Sequence, residues 1–121
     1  MAKQYRKASE NNSEAFTQLT GIDGTVPPQA VELERAVLGA LMLERDAIID
    51  VQEYVKVETF YLEEHRLIFK AIQELSFEMK AIDLYTVTER LKAQKLLQQV
   101  GGAAYLAELT QKVASAAHVG F

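Results

Sequence analysis

Proline is confined to one place in this chain: Pro27 and Pro28 are adjacent, and none occurs from Gln29 to Phe121. A stretch of that length keeps every backbone N–H and is free to run as helix throughout. Along it, apolar residues recur at intervals of three and four, the repeat of a helix with one covered face. Sustained period-two alternation between turn signals is missing, so no sheet is predicted. With 121 residues the chain suits one modest domain. The expected fold is all-α, a compact bundle of about five helices around a central N-terminal helix, with a truncated sixth helix at the C-terminus.

Pro28 fits the first turn of the first helix, where its missing N–H would be unpaired anyway. That helix is predicted over 28–43. Ala30, Leu33, Val37, Ala40 and Leu41 share an apolar arc, and Val31, Leu38 and Met42 widen it. Only Glu32, Arg35 and Gly39 form a polar strip, so this helix should be largely covered. Asp46 is placed to cap a second helix over 47–55, and a short turn over 57–61 follows. A third helix is predicted over 63–77, with His65, Ile68, Phe69, Ile72, Leu75 and Met79 on one face. Asp83 caps a fourth over 84–94 that buries Leu84, Val87 and Leu91. Leu96 and Leu97 close the loop. Gly101 and Gly102 open a fifth helix carrying Tyr105, Leu106, Leu109 and Val113. Residues 1–25 are polar and are expected to form a flexible tail, with Phe16, Leu19 and Ile22 as isolated apolar residues. Residues 26–114 form the domain, and 115–121 the start of the truncated helix.

The absence of cysteine excludes disulfides, thiolate metal sites and a cysteine nucleophile. The net charge of −4 and the lack of a basic stripe argue against a nucleic-acid surface, leaving proteins as the expected partners. No run approaches the roughly 18 apolar residues of a membrane span, and residues 1–10 lack the apolar stretch of a signal peptide. A cytoplasmic location is expected.

The residues that invite chemistry have structural readings that fit better. His65 beside Glu64 suggests a catalytic or metal role, but zinc needs three or four ligands and His118 stands far along the chain. His65 is expected in the core or at its edge. Gly101-Gly102 lacks the lysine and hydroxyl of a phosphate loop and serves as a tight helix entry. Glu34 lies inside the apolar arc of the first helix. It therefore needs a donor, for which Arg66 or a free backbone N–H at a helix start would serve. The run Glu89, Arg90, Lys92, Lys95 is expected to be a solvated helix face. Leu67 points away from the apolar arc of its helix. It packs on another helix of the domain or meets a partner, and with Tyr54 it is the candidate partner contact. No catalytic, cofactor or metal residue is assigned.

Several stretches together resemble a known family. Val26-Pro27-Pro28-Gln29 is followed by Glu32-Leu33-Glu34-Arg35-Ala36-Val37-Leu38-Gly39-Ala40-Leu41-Met42-Leu43. Then come Phe60-Tyr61 with His65-Arg66-Leu67-Ile68-Phe69, and Ile82-Asp83-Leu84 with Thr86-Val87. Val100-Gly101-Gly102-Ala103-Ala104-Tyr105-Leu106 and Ser115-Ala116-Ala117 complete the series. This order is similar to the N-terminal domain of bacterial replicative DNA helicases of the DnaB family, over 26–117. No single motif is specific; the series is. It departs in the tail before Val26 and at His118, Val119 and Gly120, where the family usually shows Asn-Ile and a polar residue.

The resemblance implies a ring-shaped hexamer that unwinds DNA with ATP. Its N-terminal domains form a collar, paired through a helical hairpin, that receives primase. It implies that the motor and its phosphate loop lie in a C-terminal domain outside these residues, and that the hairpin begins about where this sequence ends. The sequence is then expected to be the non-catalytic head. Its partners would be primase, other helicase subunits and a helicase loader, with no membrane and no direct nucleic-acid contact. An unrelated helical adaptor is the alternative. An enzyme lacks its nucleophile, metal and phosphate constellations, and a helix-turn-helix DNA binder would need a basic recognition helix.

Overall fold

The computed structural model describes residues 27–119, with side chains described as far as Ala116. The expectations for residues 1–25, for the His118 side chain and for residues 120–121 lie outside the described residues. The chain divides into two units, residues 1–31 and 32–121. In the first, the described residues 27–31 open a helix, with the Pro27 carbonyl accepting from the Ala30 N–H.

Five α-helices and one 3-10 turn make up the described residues, which contain no strand: α1 (Pro28–Leu43), α2 (Ala47–Val51), the turn Val57–Thr59, α3 (Glu63–Phe77), α4 (Leu84–Ala93) and α5 (Gly102–Val119). The all-α expectation holds. α1, α3 and α4 differ little from the sequence reading, whereas α2 stops at Val51, four residues short of the predicted 47–55. The last helix also differs, because 115–119 continue α5 without a break instead of opening a sixth helix. Nothing in Ser115-Ala116-Ala117 removes a backbone donor, and alanine favours the helix.

Burial follows the helical repeat. α3 covers His65, Ile68, Phe69, Ala71, Ile72 and Leu75. α1 contributes Leu38, Leu41 and Met42, α4 Val87 and Leu91, and α5 Leu106 and Leu109, all in one core with Ile48, Phe60 and Val100. Phe60 tilts against Phe69 with ring centroids 5.1 Å apart, within the range for attractive aromatic pairs. α1 is less covered than its apolar sequence predicts: Leu33 and Leu43 stand in solvent.

Gly39, assigned to a polar strip by its place on the helical wheel, is buried instead. A Cβ there would lie 2.3 Å from the Leu109 carbonyl oxygen and 2.7 Å from Val113 Cγ2. The missing side chain is what lets α1 meet the α5 backbone. Gly39→Ala should therefore destabilise by about 1–3 kcal/mol, as over-packing does. That outweighs the gain of roughly 1 kcal/mol that alanine brings to a helix interior. Urea unfolding of the variant checks it; an unchanged or higher midpoint would show that the helices part at no cost.

Three chain reversals share one device. The N–H of Lys80 donates to the Leu75 carbonyl (2.9 Å), that of Leu96 to Leu91 (2.8 Å) and that of Gly102 to Leu97 (2.8 Å). In each the preceding residue turns left-handed: Met79 at φ 58°, Lys95 at φ 60°, Gly101 at φ 108°. At Met79 and Lys95 this bond ties off the ends of α3 and α4 through a left-handed residue; at Gly101 the same bond closes the turn that precedes α5. The first of these corrects the reading of Met79, which sits beyond the end of α3 and is 92% exposed, not on its buried face. The entry to α4 is as expected: Thr86 N–H donates to Asp83 Oδ1 (2.8 Å) and Asp83 N–H donates to Thr86 Oγ1 (2.9 Å). Asp46, by contrast, makes no side-chain cap.

Candidate functional site

Two features remain once the core is accounted for: a polar chain inside the domain and an apolar surface at one end of it.

The polar chain links three helices. Glu34 on α1 is buried, and its Oε1 lies 2.7 Å from His65 Nδ1 on α3. Its Oε2 accepts from the Tyr61 N–H at 2.7 Å. His65 Nε2 lies 2.6 Å from the Tyr105 hydroxyl on α5, whose oxygen accepts from Arg35 Nε at 3.3 Å. Arg35 also pairs with Glu32. Burial holds the Tyr105 phenol above its ordinary pKa, and a carboxylate at Glu34 can only accept, so the matching pattern has the Tyr105 hydroxyl donating to His65 Nε2. The pattern then closes with the imidazole proton on Nδ1, directed at Glu34. Every group has a partner, and no buried side-chain polar atom among the described residues lacks one.

A carboxylate, an imidazole and a hydroxyl in line have the connectivity of a nucleophilic triad. Here the hydroxyl is phenolic and His65 is completely buried. A general base needs reach to a substrate proton. The arrangement instead pins α1, α3 and α5 together. This agrees with the expected core position of His65. The Glu34 donors are one backbone N–H, as foreseen, and His65, which was not. Arg66 Nε goes to the Phe60 carbonyl at 2.6 Å. No group of three or more His, Cys, Asp or Glu side chains suited to a metal occurs among the described residues.

The apolar surface lies where α1 ends, α2 begins and the α3–α4 connection passes. Leu43, Ile49 and Met79 line one shallow groove of about 560 Å³ with Met42, Ile48 and Ile82, and Arg45, Asp46, Lys80 and Asp83 line it too. Leu43, Ile49 and Met79 are exposed, as is Tyr85 on α4. Exposed apolar residues gathered around a groove mark interaction surfaces more often than scattered ones do. Tyr54, one of the two candidate contacts from the sequence, is 81% exposed just after α2. The other, Leu67, is half-buried and packs against the core. The pattern that placed Met79 on a buried face hid this surface; an apolar residue directly after a helix end was the available signal.

The charged face of α4 is tied down. Arg90 holds Glu78 with both nitrogens, at 2.7 and 2.6 Å, and reaches Glu74 at 3.5 Å. Gln94 Nε2 donates to Glu74 at 2.7 Å. Arg90 first, then Lys80, hold the Glu78 carboxyl down at about 2. A carboxyl lowered from 4.5 stabilises the fold at pH above 4.5 and loses that contribution as the pH falls toward about 2. Arg90→Gln should flatten the acid limb of a stability-against-pH curve between those values. An unaltered limb would show that the exposed pair is screened away.

Against this geometry, the sequence profile described as "DnaB-like helicase N terminal domain" matches residues 26–121. The chain belongs to the DnaB-like helicase N-terminal domain family. Replicative DNA helicase DnaB of Rhodothermus marinus is 51% identical over 96 residues, 79% of this chain and 10% of that protein. The Geobacillus stearothermophilus protein of the same name is 40% identical over 94 residues, 78% of this chain and 21% of its own length. The crystal structure of the N-terminal domain of DnaB helicase from Mycobacterium tuberculosis superposes with a TM-score of 0.67 at 37% identity, covering 71% of this chain and 60% of that one. The chain thus spans a small part of the curated DnaB relatives. Family membership removes the reading of an unrelated helical adaptor and bears out the resemblance drawn from the serial motifs.

Proposed function

We propose that this chain is the non-catalytic, protein-interacting head of a replicative DNA helicase, supporting hexamer assembly and docking primase in the cytoplasm. The observation that carries the reading is the exposed apolar surface of Leu43, Ile49 and Met79 on a DnaB-type N-terminal domain whose buried side-chain polar atoms, among the described residues, all have partners. A domain that spends no buried polar group on a substrate and leaves large apolar side chains in water is suited to contact with other proteins. Tyr54 and the open edge of Leu67 are further candidate contacts. Other helicase subunits and a helicase loader are the further partners in this reading. ATP hydrolysis and DNA unwinding belong to a motor domain elsewhere in the parent protein.

The test is a pull-down of the same organism's primase C-terminal region by this chain with chemical crosslinking, which retains weak contacts, and sedimentation equilibrium on the chain alone. Specific capture of primase, with a monomer or weak dimer in the centrifuge, supports the reading. Single copies bind weakly because a ring presents several heads at once. A tight hexamer from these residues would place the assembly interface on the head itself, and failure to capture primase would remove the docking role.

A further inference from the structure

A second surface, distinct from the apolar end, runs along the outer side of α3. Two shallow hollows of about 610 and 560 Å³ share Lys70 and Gln73. One continues to Gln52 and to Phe77, which is 90% exposed; the other reaches Lys56 on the turn before α3. Lys70, Gln73 and Phe77 are spaced by three and four residues, so they form one stripe.

The charges along this groove are uneven. Of the ten described lysines and arginines, Arg35, Arg66, Lys80, Arg90 and Lys112 form ion pairs, whereas Lys56 and Lys70 have no carboxylate within ion-pair distance among the described residues. Three carboxylates line the groove. Glu74 and Glu78 are matched by two cations outside the groove, Arg90 on both and Lys80 on Glu78 at 3.0 Å, which leaves Glu58 as the one unmatched negative charge against two free ammonium groups. In a chain of net charge −4 this is a local excess of positive charge, with an aromatic ring at one end and two amide side chains between.

We propose that this groove docks an acidic amphipathic helical segment of a partner protein, its carboxylates on Lys56 and Lys70 and an apolar side chain on Phe77. Two lysines are too few to hold a nucleic-acid backbone, which is usually met by a broad basic face. The exposed phenylalanine and the glutamines suit an apolar anchor and a polar peptide edge. The inference rests on the protein-interaction reading and not on primase being the partner. The primase pull-down tests the one and a peptide titration the other, so their failures are distinguishable.

The probe is a synthetic helical peptide with glutamates spaced by four residues and a leucine stripe, titrated into the isotope-labelled chain. Its charge-reversed twin, with lysine for glutamate, is the control. The acidic peptide should shift the amide signals of Gln52, Lys70, Gln73 and Phe77. Its affinity should fall at least about tenfold, or 1.4 kcal/mol, in the double variant Lys56→Glu/Lys70→Glu. It should also weaken from about 0.1 to about 1 M salt, as the Debye length shrinks from about 10 to about 3 Å. Both lysines are exposed, so the variant keeps its fold, which its own spectrum verifies. Equal binding by the basic twin, binding unmoved by the double variant, tighter binding by a single-stranded oligonucleotide, or no binding up to about 1 mM would each overturn the proposal.

Discussion

Phe69→Ala is expected to lower the stability of this domain by about 3–5 kcal/mol, the range for emptying a buried aromatic site. Phe69 is fully buried on α3, the helix that supplies more of the core than any other among the described residues. It also packs against Phe60, so its loss strips the segment before α3 of its anchor. A small domain has about 5–15 kcal/mol in total. At roughly 4–8 °C per kcal/mol for a domain of this size, the midpoint should fall by more than about 12 °C. Leu41→Ala on α1, also buried, should cost about 2–5 kcal/mol for the same reason. Thermal melts followed by circular dichroism check both; an unchanged midpoint would mean that the assigned helix faces are wrong.

Glu34→Ala should be of similar severity, about 2–6 kcal/mol, because it leaves two buried donors without an acceptor at about 1–3 kcal/mol each. The His65 Nδ1 proton and the Tyr61 N–H would both lose their acceptor. Glu34→Gln keeps the shape and one acceptor oxygen but turns an N–H toward a second donor, so it should cost less, about 1–3 kcal/mol. The order Ala worse than Gln separates lost hydrogen bonding from lost volume. Nitrogen chemical shifts of the His65 ring give an independent readout. They should report the proton on Nδ1 in the parent chain and a changed tautomer balance in either variant. Equal stability of all three proteins would show that the chain of hydrogen bonds contributes nothing net.

How far these features could be seen in advance depends on the range over which they are decided. α3 was legible to the residue, 63–77, because its apolar repeat is regular and its ends are marked. The Asp83–Thr86 box was legible because it closes within four residues. Gly39 was not: a residue without a side chain carries no polarity, and its role exists only when α5 arrives. The partners of His65 lie 31 and 40 residues away, so the need of Glu34 for a donor was visible but the identity of the main donor was not. Asp46 has the chemistry of a cap, yet its backbone does not present the side chain to α2. Ser115 reads as a cap only if the helix before it stops, and nothing stops it. The apolar surface was missed for a related reason, since Met79 continues the period of α3 in sequence after the backbone has already turned away.

The central claim is that this domain works by contact with other proteins and not on nucleotides. It is tested most directly by titrating the isotope-labelled chain with the primase C-terminal region, and separately with Mg-ATP, while recording amide spectra. The account predicts saturable shifts with primase, at an affinity of about 10 μM to 1 mM for a single copy, gathered at exposed residues such as Ile49, Tyr54 and Met79. Buried Ile68 and Phe69 should stay still, and Mg-ATP should cause no change. Saturable shifts with Mg-ATP and none with primase would contradict it.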